Sequence, residues 1–273
     1  MSDDVTMPEA PSTRPAARRF DHTDFTVERL SPLKGDHTVS VCVPARDEAS
    51  TVGDVVRTVV EMTGRQSGFG LVDEVLVVDD GSTDDTAAVA EANGATVIAN
   101  RAGGGGKGQA MRTALEASTG DLVVFVDADV TNFGPHFVTG LLGPLLVDDG
   151  VRLVKAHYRR PLDGAPDGGG RVTELVARPL IDLLFPQLSG IVQPLAGETA
   201  AHRGDLERCG FADGYAVELA LLVDVAAQYG AAAVAQVDLG TRAHRNRPLV
   251  ELRPQATDIL RVALERSGLI TPD

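Results

Sequence analysis

Two aspartates at the end of an apolar run are the first residues of this sequence whose placement indicates chemistry. The run is LVVFVDADV (122–130), which contains Asp127 and Asp129. Alternate residues of a strand share one face, whereas at a strand end the two carboxylates can turn towards different ligand atoms. Mg²⁺ and Mn²⁺ are typically bound by protein carboxylates together with phosphate oxygens of a substrate. The pair therefore indicates a divalent-cation site, although two strand-end aspartates could also cap a turn.

A second pair of acids follows another apolar run, in VVDDGSTDDT (77–86). Gly81 permits a sharp turn and the residues after it can cap a helix, so a strand–turn–helix corner accounts for residues 82–85. That corner accounts less well for Asp79 and Asp80, because paired carboxylates at a buried strand end repel each other. We expect a carboxylate there to accept hydrogen bonds from a nucleobase or a ribose.

The glycine-rich segment GGGGKG (103–108) resembles a phosphate-binding loop only in part. A Walker-type loop needs Ser or Thr directly after the lysine, and Gly108 stands there instead. The segment can still deliver Lys107 to a diphosphate or a base, and an ordinary surface loop is the alternative.

Basic residues gather in TRAHRNRP (241–248), within a chain whose formal charge is −14. Strand alternation would place Arg242, His244 and Asn246 on one side. A neutral imidazole can complete a metal site begun by Asp129, and arginines suit bidentate binding of phosphate or carboxylate. A solvated basic loop is the alternative.

Two more charged residues stand at predicted helix starts. Arg171 follows three glycines (168–170), where open backbone N–H groups favour an anion, although a plain loop fits as well. Glu218 is the acidic residue in the apolar helix start GYAVELALL (214–222). It could cap that helix, bind a sugar hydroxyl or act as a catalytic partner.

The elements that must position these residues alternate between strand and helix. Continuous apolar strands in this arrangement are typical of a mostly parallel sheet covered on both faces, so we predict an α/β fold. Ligands of such sheets bind at the carboxyl ends of the strands, and the ends predicted at 44–48, 79–82 and 127–129 are all polar. The predicted strands are 38–44, 72–80, 95–100, 121–129, 152–161 and the start of 233–249; the predicted helices are 48–62, 82–94, 107–119, 171–188, 216–230 and 253–267.

Composition narrows the class of protein. The chain has 273 residues, 43% of them hydrophobic, and a pI near 4.8, which argues against a general nucleic-acid or membrane-surface binder. No apolar run is long enough to cross a bilayer and the N-terminus lacks a signal-peptide pattern, so we expect a cytoplasmic protein.

One pocket built from these groups would hold a divalent cation, a diphosphate, a hydroxyl-rich group and a second anion. That combination suits transfer of a sugar from a nucleotide diphosphate, with the metal neutralising the leaving diphosphate. We predict a disordered or loosely packed arm over residues 1–37, a nucleotide-sugar-binding half over 38–150, and an acceptor-binding half with C-terminal helices over 151–273.

Several segments resemble known glycosyltransferases. VCVPARDEASTVGDVV (41–56), VVDDGSTDDT and DAD are similar to family-2-like enzymes of the GT-A fold, a mostly parallel Rossmann-like sheet with a C-terminal acceptor-binding subdomain. The likeness becomes more specific in the second half, where five segments resemble the glucosyl-3-phosphoglycerate synthases of actinobacteria: VKAHYRRPL, GGGRVTELVARPL, QPLAGE, GYAVELALLVD and QVDLGTRAHRNRPL. It covers about residues 38–268.

The resemblance implies transfer of glucose from UDP-glucose to D-3-phosphoglycerate with retention of the α-anomer, Mg²⁺ or Mn²⁺ as cofactor, and a homodimer. Catalytic roles fall to Glu218, Asp129 and Arg242, and the metal ligands are Asp129 and His244. The nucleotide sugar would contact Pro44, Ala45, Arg46, Glu48, Asp80, Lys107, Asp127, Ala128, Tyr215, Ala216, Val217, Glu218, Arg242 and Arg247. The acceptor would contact Gly170, Arg171, Val172, Thr173 and Asn246.

The donor base and sugar stay open, because Asp47, Asp80 and Ala128 depart from the residues usual in that family. The enzyme alternatives are a mannosyl-3-phosphoglycerate synthase using GDP-mannose, another family-2-like glycosyltransferase, or a polyprenyl-phosphate transferase, which would need an apolar acceptor channel or membrane segment. A nucleotide-sugar sensor should have lost Asp129 or His244. A sugar-phosphate nucleotidyltransferase would carry a glycine-rich N-terminal signature that is missing from this sequence.

Overall fold

A mostly parallel β-sheet forms the centre of the fold. The computed structural model describes residues 17–64, 70–100, 105–160, 170–243 and 252–271. Within these ranges the sheet has eight strands: β1 (Arg18–Asp21), β2 (Val39–Ala45), β3 (Glu74–Asp79), β4 (Thr96–Ala99), β5 (Leu122–Phe125), β6 (Leu153–Arg159), β7 (Thr199–His202) and β8 (Val234–Thr241).

Helices connect the strands and cover the sheet. They are α1 (Val27–Lys34), α2 (Val52–Glu61), α3 (Thr86–Ala92), α4 (Gly106–Ala117), α5 (Pro135–Val147), α6 (Arg178–Leu184), α7 (Arg203–Leu206), α8 (Val217–Tyr229) and α9 (Leu252–Arg266). A π-helical turn over Thr173–Ala177 leads into α6. Among the helices of the described ranges, none combines the length and the apolar character needed to span a bilayer.

The order of the strands across the sheet is β1-β8-β6-β7-β5-β2-β3-β4. All neighbours are parallel except β7, which runs antiparallel to both β5 and β6. The predicted α/β fold with a mostly parallel sheet is therefore confirmed. Because β7 is reversed, its amino end lies at the edge of the sheet where β5 ends, with Thr199 opposite Phe125.

Two hydrophobic cores cover the two faces of the sheet. Along β5, Leu122 and Val124 belong to the core that contains the apolar residues of α2 and α5. Val123 and Phe125 belong to the core built with α4 and α8. This alternation is the period of two that a strand imposes on its side chains. Burial of each such side chain contributes about 1.5–3 kcal/mol, so both faces stabilise the strands that lead to the carboxyl edge.

Residues 17–37 correct the prediction of a disordered or loosely packed arm over 1–37. β1 pairs in parallel with β8, from Arg18 opposite Ala235 to Asp21 opposite Asp238. Phe25 is buried in the same core as α5. The apolar residues of this segment are too widely spaced to show a period, and the strand that β1 pairs with lies far away in the sequence. Residues 1–16 lie outside the described ranges.

Candidate active site

The carboxyl ends of β2, β3 and β5 open onto a cleft of about 820 Å³. β5 ends at Phe125, so Asp127 and Asp129 lie beyond the strand, where its regular pleat has ended. Sixteen of the predicted site residues line this cleft: Pro44, Ala45, Arg46, Glu48, Asp80, Lys107, Asp127, Ala128, Asp129, Gly170, Arg171, Val172, Thr173, Tyr215, Glu218 and Arg242.

Asp127 is held between two cations. Lys107 Nζ donates to Asp127 Oδ1 at 2.6 Å, and Arg242 Nη2 donates to Asp127 Oδ2 at 2.7 Å. Lys107 Nζ also lies 2.8 Å from Glu218 Oε1. Burial opposes ionisation, yet the charges of Lys107 and Arg242 hold the pKa of Asp127 well below its usual range. Asp127 is therefore an ionised, fixed group rather than a general base at neutral pH.

Lys107 keeps its charge for the corresponding reason. Burial lowers the pKa of an ammonium group, but Asp127 and Glu218 raise the pKa of Lys107 well above its usual value. The second oxygen of Glu218, Oε2, is buried and has no hydrogen-bond partner among the described residues. Buried carboxylate oxygens are normally hydrogen-bonded, so the lack of a partner at Glu218 Oε2 is unusual for a residue that lines the cleft.

Arg242 links three carboxylates. Besides Asp127, its Nη2 donates to Asp129 Oδ1 at 2.7 Å, and its Nε lies 2.8 Å from Glu198 Oε1. Burial works against the guanidinium charge, but Glu198, Tyr158 and Asp127 together raise the pKa of Arg242 well above its usual value. Arg242 is thus a permanent positive charge at the floor of the cleft.

Four charged or polar residues near this centre were missed by the sequence reasoning. Glu198 is fully buried, and its Oε2 accepts from Tyr158 Oη at 2.6 Å. Burial and then Glu198 raise the pKa of Tyr158. Arg160, which lines the cleft, donates to Tyr158 Oη at 2.9 Å. Lys155 donates to the carbonyl of Ala196 at 2.5 Å, and burial lowers its pKa to about 8. For Lys155 and Glu198, the sequence offered one signal: a charged residue among small or apolar neighbours, in VKAHYR (154–159) and AGETAA (196–201).

Asp80 connects the end of β3 to the start of α4. Its Oδ1 accepts from Asn100 Nδ2 at 2.6 Å and its Oδ2 accepts from the backbone N–H of Gly106 at 3.0 Å. Arg46 Nη1 lies 3.9 Å from the same Oδ2. The carboxylate therefore orders the turn that carries Lys107 as well as lining the cleft.

The predicted strand–turn–helix corner after β3 also supports the end of β2. Asp47 has a φ of 54°, a conformation that Asp adopts more readily than most residues. Its Oδ1 accepts from Thr83 N at 2.7 Å, and its own N–H donates to Ser82 Oγ at 3.0 Å. The N–H of Glu48 donates to Thr86 Oγ1 at 2.8 Å. These bonds hold the cleft-lining segment 44–48 against the corner.

Lys107 lies in the first turn of α4, which begins at Gly106. A Cβ atom at Gly108 would overlap the carbonyl oxygen of Ala212, so the backbone of this turn packs directly against residues 212–214. That segment leads into Tyr215 and Glu218. The close approach places Lys107 within reach of Glu218. Residues 103 and 104 of the glycine-rich segment lie outside the described ranges.

Residues 170–173 also line the cleft, and we call this part its second wall. The N–H of Glu174 donates to the carbonyl of Gly170 at 3.0 Å, which starts the helical segment directly after Arg171. Thr173 is buried, and Arg160 lines the same wall. Arg160 and Arg171 give this wall the charge needed to bind an anion.

Two predicted residues of the described ranges do not line the cleft, and three more lie outside those ranges. Ala216 and Val217 are fully buried and do not line the cleft, so the expectation of direct contact is corrected. They belong to the core that includes α8, which begins at Val217 directly after Ala216. His244, Asn246 and Arg247 lie outside the described residues.

The predicted metal site is located only through Asp129. No group of three or more His, Cys, Asp or Glu residues suited to a metal ion occurs in the described part of the chain. The Asp129 side chain is 28% exposed, and one of its oxygens accepts from Arg242. One partly exposed carboxylate in a cleft that is also lined by Lys107 and Arg242 fits a hard cation that takes its other ligands from phosphate oxygens.

Comparison with known proteins gives the relatives of this chain. Residues 40–157 match the family model of glycosyl transferase family 2. The glucosyl-3-phosphoglycerate synthase of Mycolicibacterium smegmatis is 48% identical over 92% of this chain and 84% of its own length. That of Mycolicibacterium paratuberculosis is 46% identical over 93% of this chain and 80% of its own.

A solved structure is similar over nearly the whole chain. It is the glucosyl-3-phosphoglycerate synthase of Mycobacterium tuberculosis in complex with Mn²⁺, UDP-glucose and phosphoglyceric acid. The TM-score is 0.85 at 43% identity, covering 95% of this chain and 89% of that one.

Proposed function

The chain belongs to the family of glucosyl-3-phosphoglycerate synthases, and we propose that it transfers glucose from UDP-glucose to D-3-phosphoglycerate. The observation that carries the proposal is the pairing of two strand-end aspartates with Lys107 and Arg242 in one cleft. The second wall of this cleft supplies Arg160 and Arg171. Such a cleft offers separate positive charges to a diphosphate and to a phosphorylated acid.

The donor would lie along the carboxyl ends of β2, β3 and β5. Pro44, Ala45, Arg46, Glu48 and Asp80 line the part of the cleft that we assign to the uridine. Lys107 and Arg242 are the permanent charges beside it and would stabilise the diphosphate as it leaves. Glu218 lines the same cleft beside Lys107, and we assign it to positioning the glucose.

We propose Mg²⁺ or Mn²⁺ as the cofactor, held by Asp129 and by His244. The M. tuberculosis relative has been solved with either ion beside UDP. When bound, such an ion supplies Lewis-acid neutralisation of the diphosphate oxygens. Both oxygens of Asp127 are already engaged by Lys107 and Arg242, which leaves Asp129 as the acid of the pair available for that role.

We further propose that the reaction retains the anomeric configuration through attack on the face from which the diphosphate leaves. The acceptor hydroxyl oxygen bonds to the anomeric carbon, the bond from that carbon to the diphosphate breaks, and the hydroxyl proton passes to the departing diphosphate. A double displacement would need a carboxylate oxygen available to bond to the anomeric carbon. Asp127 and Glu218 are instead fixed by Lys107, at 2.6 Å and 2.8 Å.

We assign residues 38–150 to nucleotide-sugar binding and residues 151–273 to acceptor binding, with Glu218 and Arg242 of the second half also facing the donor. Residues 44–48, Lys107 and Asp129 line the cleft from the first half, and Gly170 and Arg171 line it from the second. The two halves share one sheet, because β7 of the second half pairs with β5 of the first.

A homodimer in the cytoplasm is the assembly and location that we propose. Leu175 and Leu183 are 74% and 79% exposed on the segment that includes α6, and a partner subunit would cover such apolar side chains. Sedimentation of the wild-type protein and of Leu183→Glu tests the dimer: the variant should shift towards the monomer, and a monomeric wild type would contradict the proposal.

Nucleotide release tests the activity. Purified protein with Mg²⁺ and 3-phosphoglycerate would be offered UDP-glucose, GDP-glucose or GDP-mannose in separate reactions. We expect release from UDP-glucose and an α-linked product by NMR. Absence of release with either glucose donor would overturn the proposal, and release from GDP-mannose alone would favour the mannosyl alternative.

A further inference from the structure

The loop that follows Asp129 grips the end of the strand that carries Arg242. Asn132 Nδ2 donates to the carbonyl of Thr241 at 2.7 Å, and Asn132 Oδ1 accepts from the N–H of Ala243 at 2.8 Å. The N–H of Thr131 donates to the carbonyl of Ala243 at 3.1 Å. These contacts engage backbone groups on both sides of Arg242.

The amide of Asn132 takes the place of a neighbouring strand residue. In a parallel sheet, a residue on one strand bonds to the carbonyl before its partner residue and to the N–H after it. Asn132 makes the same two bonds with its side chain, around Arg242. The N–H of Arg242 itself donates to the carbonyl of Arg159, the last residue of β6. The backbone of Arg242 is therefore fixed from two sides beyond Thr241, where β8 ends.

These contacts close a ring with the site. From Asp129 the chain runs to Asn132, across to Thr241 and Ala243, and from Arg242 back to Asp129 through the 2.7 Å hydrogen bond. The Arg242 side chain is buried and donates to Asp127 and to Asp129 at 2.7 Å each. A shift of its backbone would therefore lengthen both hydrogen bonds. Asn132 itself is exposed and does not line the cleft.

We propose that Asn132 is a positioning residue that sets the guanidinium of Arg242 for the diphosphate of the nucleotide sugar. The inference rests on the proposed function, because that function gives Arg242 a diphosphate to bind. Asn132 acts through hydrogen bonds to the backbone at 241–243 and not through contact with the substrate.

Binding of UDP and of uridine separates this role from a general loss of structure. In Asn132→Ala we expect the Kd of UDP to rise about tenfold by calorimetry and kcat to fall by a similar factor, while the Kd of uridine stays unchanged. Asn93→Ala is the matched control, since Asn93 makes a single side-chain bond to the carbonyl of Val89, where α3 ends at the opposite edge of the sheet. It should leave all three values unchanged.

Asn132→Asp keeps the size of the side chain but replaces the N–H donor with an oxygen that faces the carbonyl of Thr241. We expect it to be impaired at least as much as Asn132→Ala. Wild-type values for UDP binding and kcat in either Asn132 variant, or equal weakening of UDP and uridine binding, would overturn the role of Asn132.

The outcomes for Asn132 and for the proposed function are distinguishable. A wild-type protein that binds UDP but transfers no glucose refutes the proposed function, while the UDP and uridine comparison still decides the role of Asn132. A wild-type protein that does not bind UDP overturns both.

Discussion

Acidic side chains stand at two edges of the central sheet, the one where the parallel strands begin and the one where they end. The partners of these side chains differ between the two. At the edge where the parallel strands begin, Asp73 accepts from the N–H of Val39 and also pairs with Lys34, and Asp121 accepts from the N–H of Thr38. At the edge where they end, Asp127 and Asp129 are paired with Lys107 and Arg242 beside a cleft. The first set satisfies backbone groups of the sheet, and the second pairs with cations that line the cleft.

The bonding partner of an acidic side chain therefore indicates its role better than its position beside an apolar run does. Glu74, at the first edge, is bonded to the segments around it, because its Oε2 accepts from Ser40 Oγ at 2.6 Å and from Thr119 N at 2.9 Å. At the cleft edge Glu218 retains a buried oxygen that has no partner in the described ranges. Substitutions at the first edge should change stability, and substitutions at the second should change turnover.

The largest effect is expected from Asp129→Ala. We expect kcat/KM to fall at least about a hundredfold, because the carboxylate assigned to the cation is lost, while the thermal unfolding midpoint changes little. Steady-state kinetics over a Mn²⁺ titration, with circular dichroism as the folding check, measures this. Activity retained at wild-type Mn²⁺ dependence would remove Asp129 from the cation site.

Arg171→Ala should act on the acceptor alone. Loss of its guanidinium is expected to raise the KM for 3-phosphoglycerate about tenfold, equivalent to about 1.4 kcal/mol, with the KM for UDP-glucose unchanged. Arg178→Ala is the control, since Arg178 lies further along the same helical segment and pairs with Glu174. An unchanged KM for 3-phosphoglycerate would refute the acceptor role of Arg171.

Asp121→Asn tests the other edge of the sheet. The free energy of unfolding should fall by about 1 kcal/mol, because a charge-assisted bond to Thr38 becomes a neutral one, and kcat/KM should not change. Urea unfolding and a steady-state assay on the same preparation measure both. A loss of activity without a loss of stability would contradict the division between the two edges.

The smallest expected effect is the pH dependence of the contribution that Asp121 makes to the free energy of unfolding. The backbone N–H and then the hydroxyl of Thr38 lower the pKa of Asp121 in the folded state. A carboxyl whose pKa is lowered on folding stabilises the protein above its unfolded pKa, near 3.9, and the contribution is lost as pH falls through the folded value. The gap in unfolding free energy between wild type and Asp121→Asn should therefore shrink below about pH 4. A gap that stays constant from pH 7 to pH 3 would argue against the bond.

The sequence predicted the central part of the fold because its strands are continuous apolar runs. Strands β2, β3 and β5 carry valine-rich segments that only a doubly covered sheet explains. It did not predict β7, whose TAAH residues are too small to show an apolar run, or α5, whose PHFVTGLLGPLLV sequence contains glycine and proline. It also did not predict β1, a short polar edge strand that is ordered by pairing with β8.

The site was predicted residue by residue where a motif lies next to a strand end, as for Asp127 and Asp129. It could not be predicted where the partner is distant in the sequence. Nothing near Glu198 indicates that it lies against Arg242, and that contact exists only because β7 runs antiparallel and brings its amino end to the cleft. Pairings across the sheet are therefore what the structure adds.

The absence of a side chain at position 108 has a consequence for substrate scope. Since any Cβ there would overlap the carbonyl of Ala212, a larger residue would move the turn that carries Lys107 away from the segment leading to Glu218. The separation of Lys107 from Glu218, now 2.8 Å, would grow, and the cleft would widen between these two lining residues. Engineering this protein to accept a bulkier donor sugar would therefore begin at a glycine that is not among the residues lining the cleft.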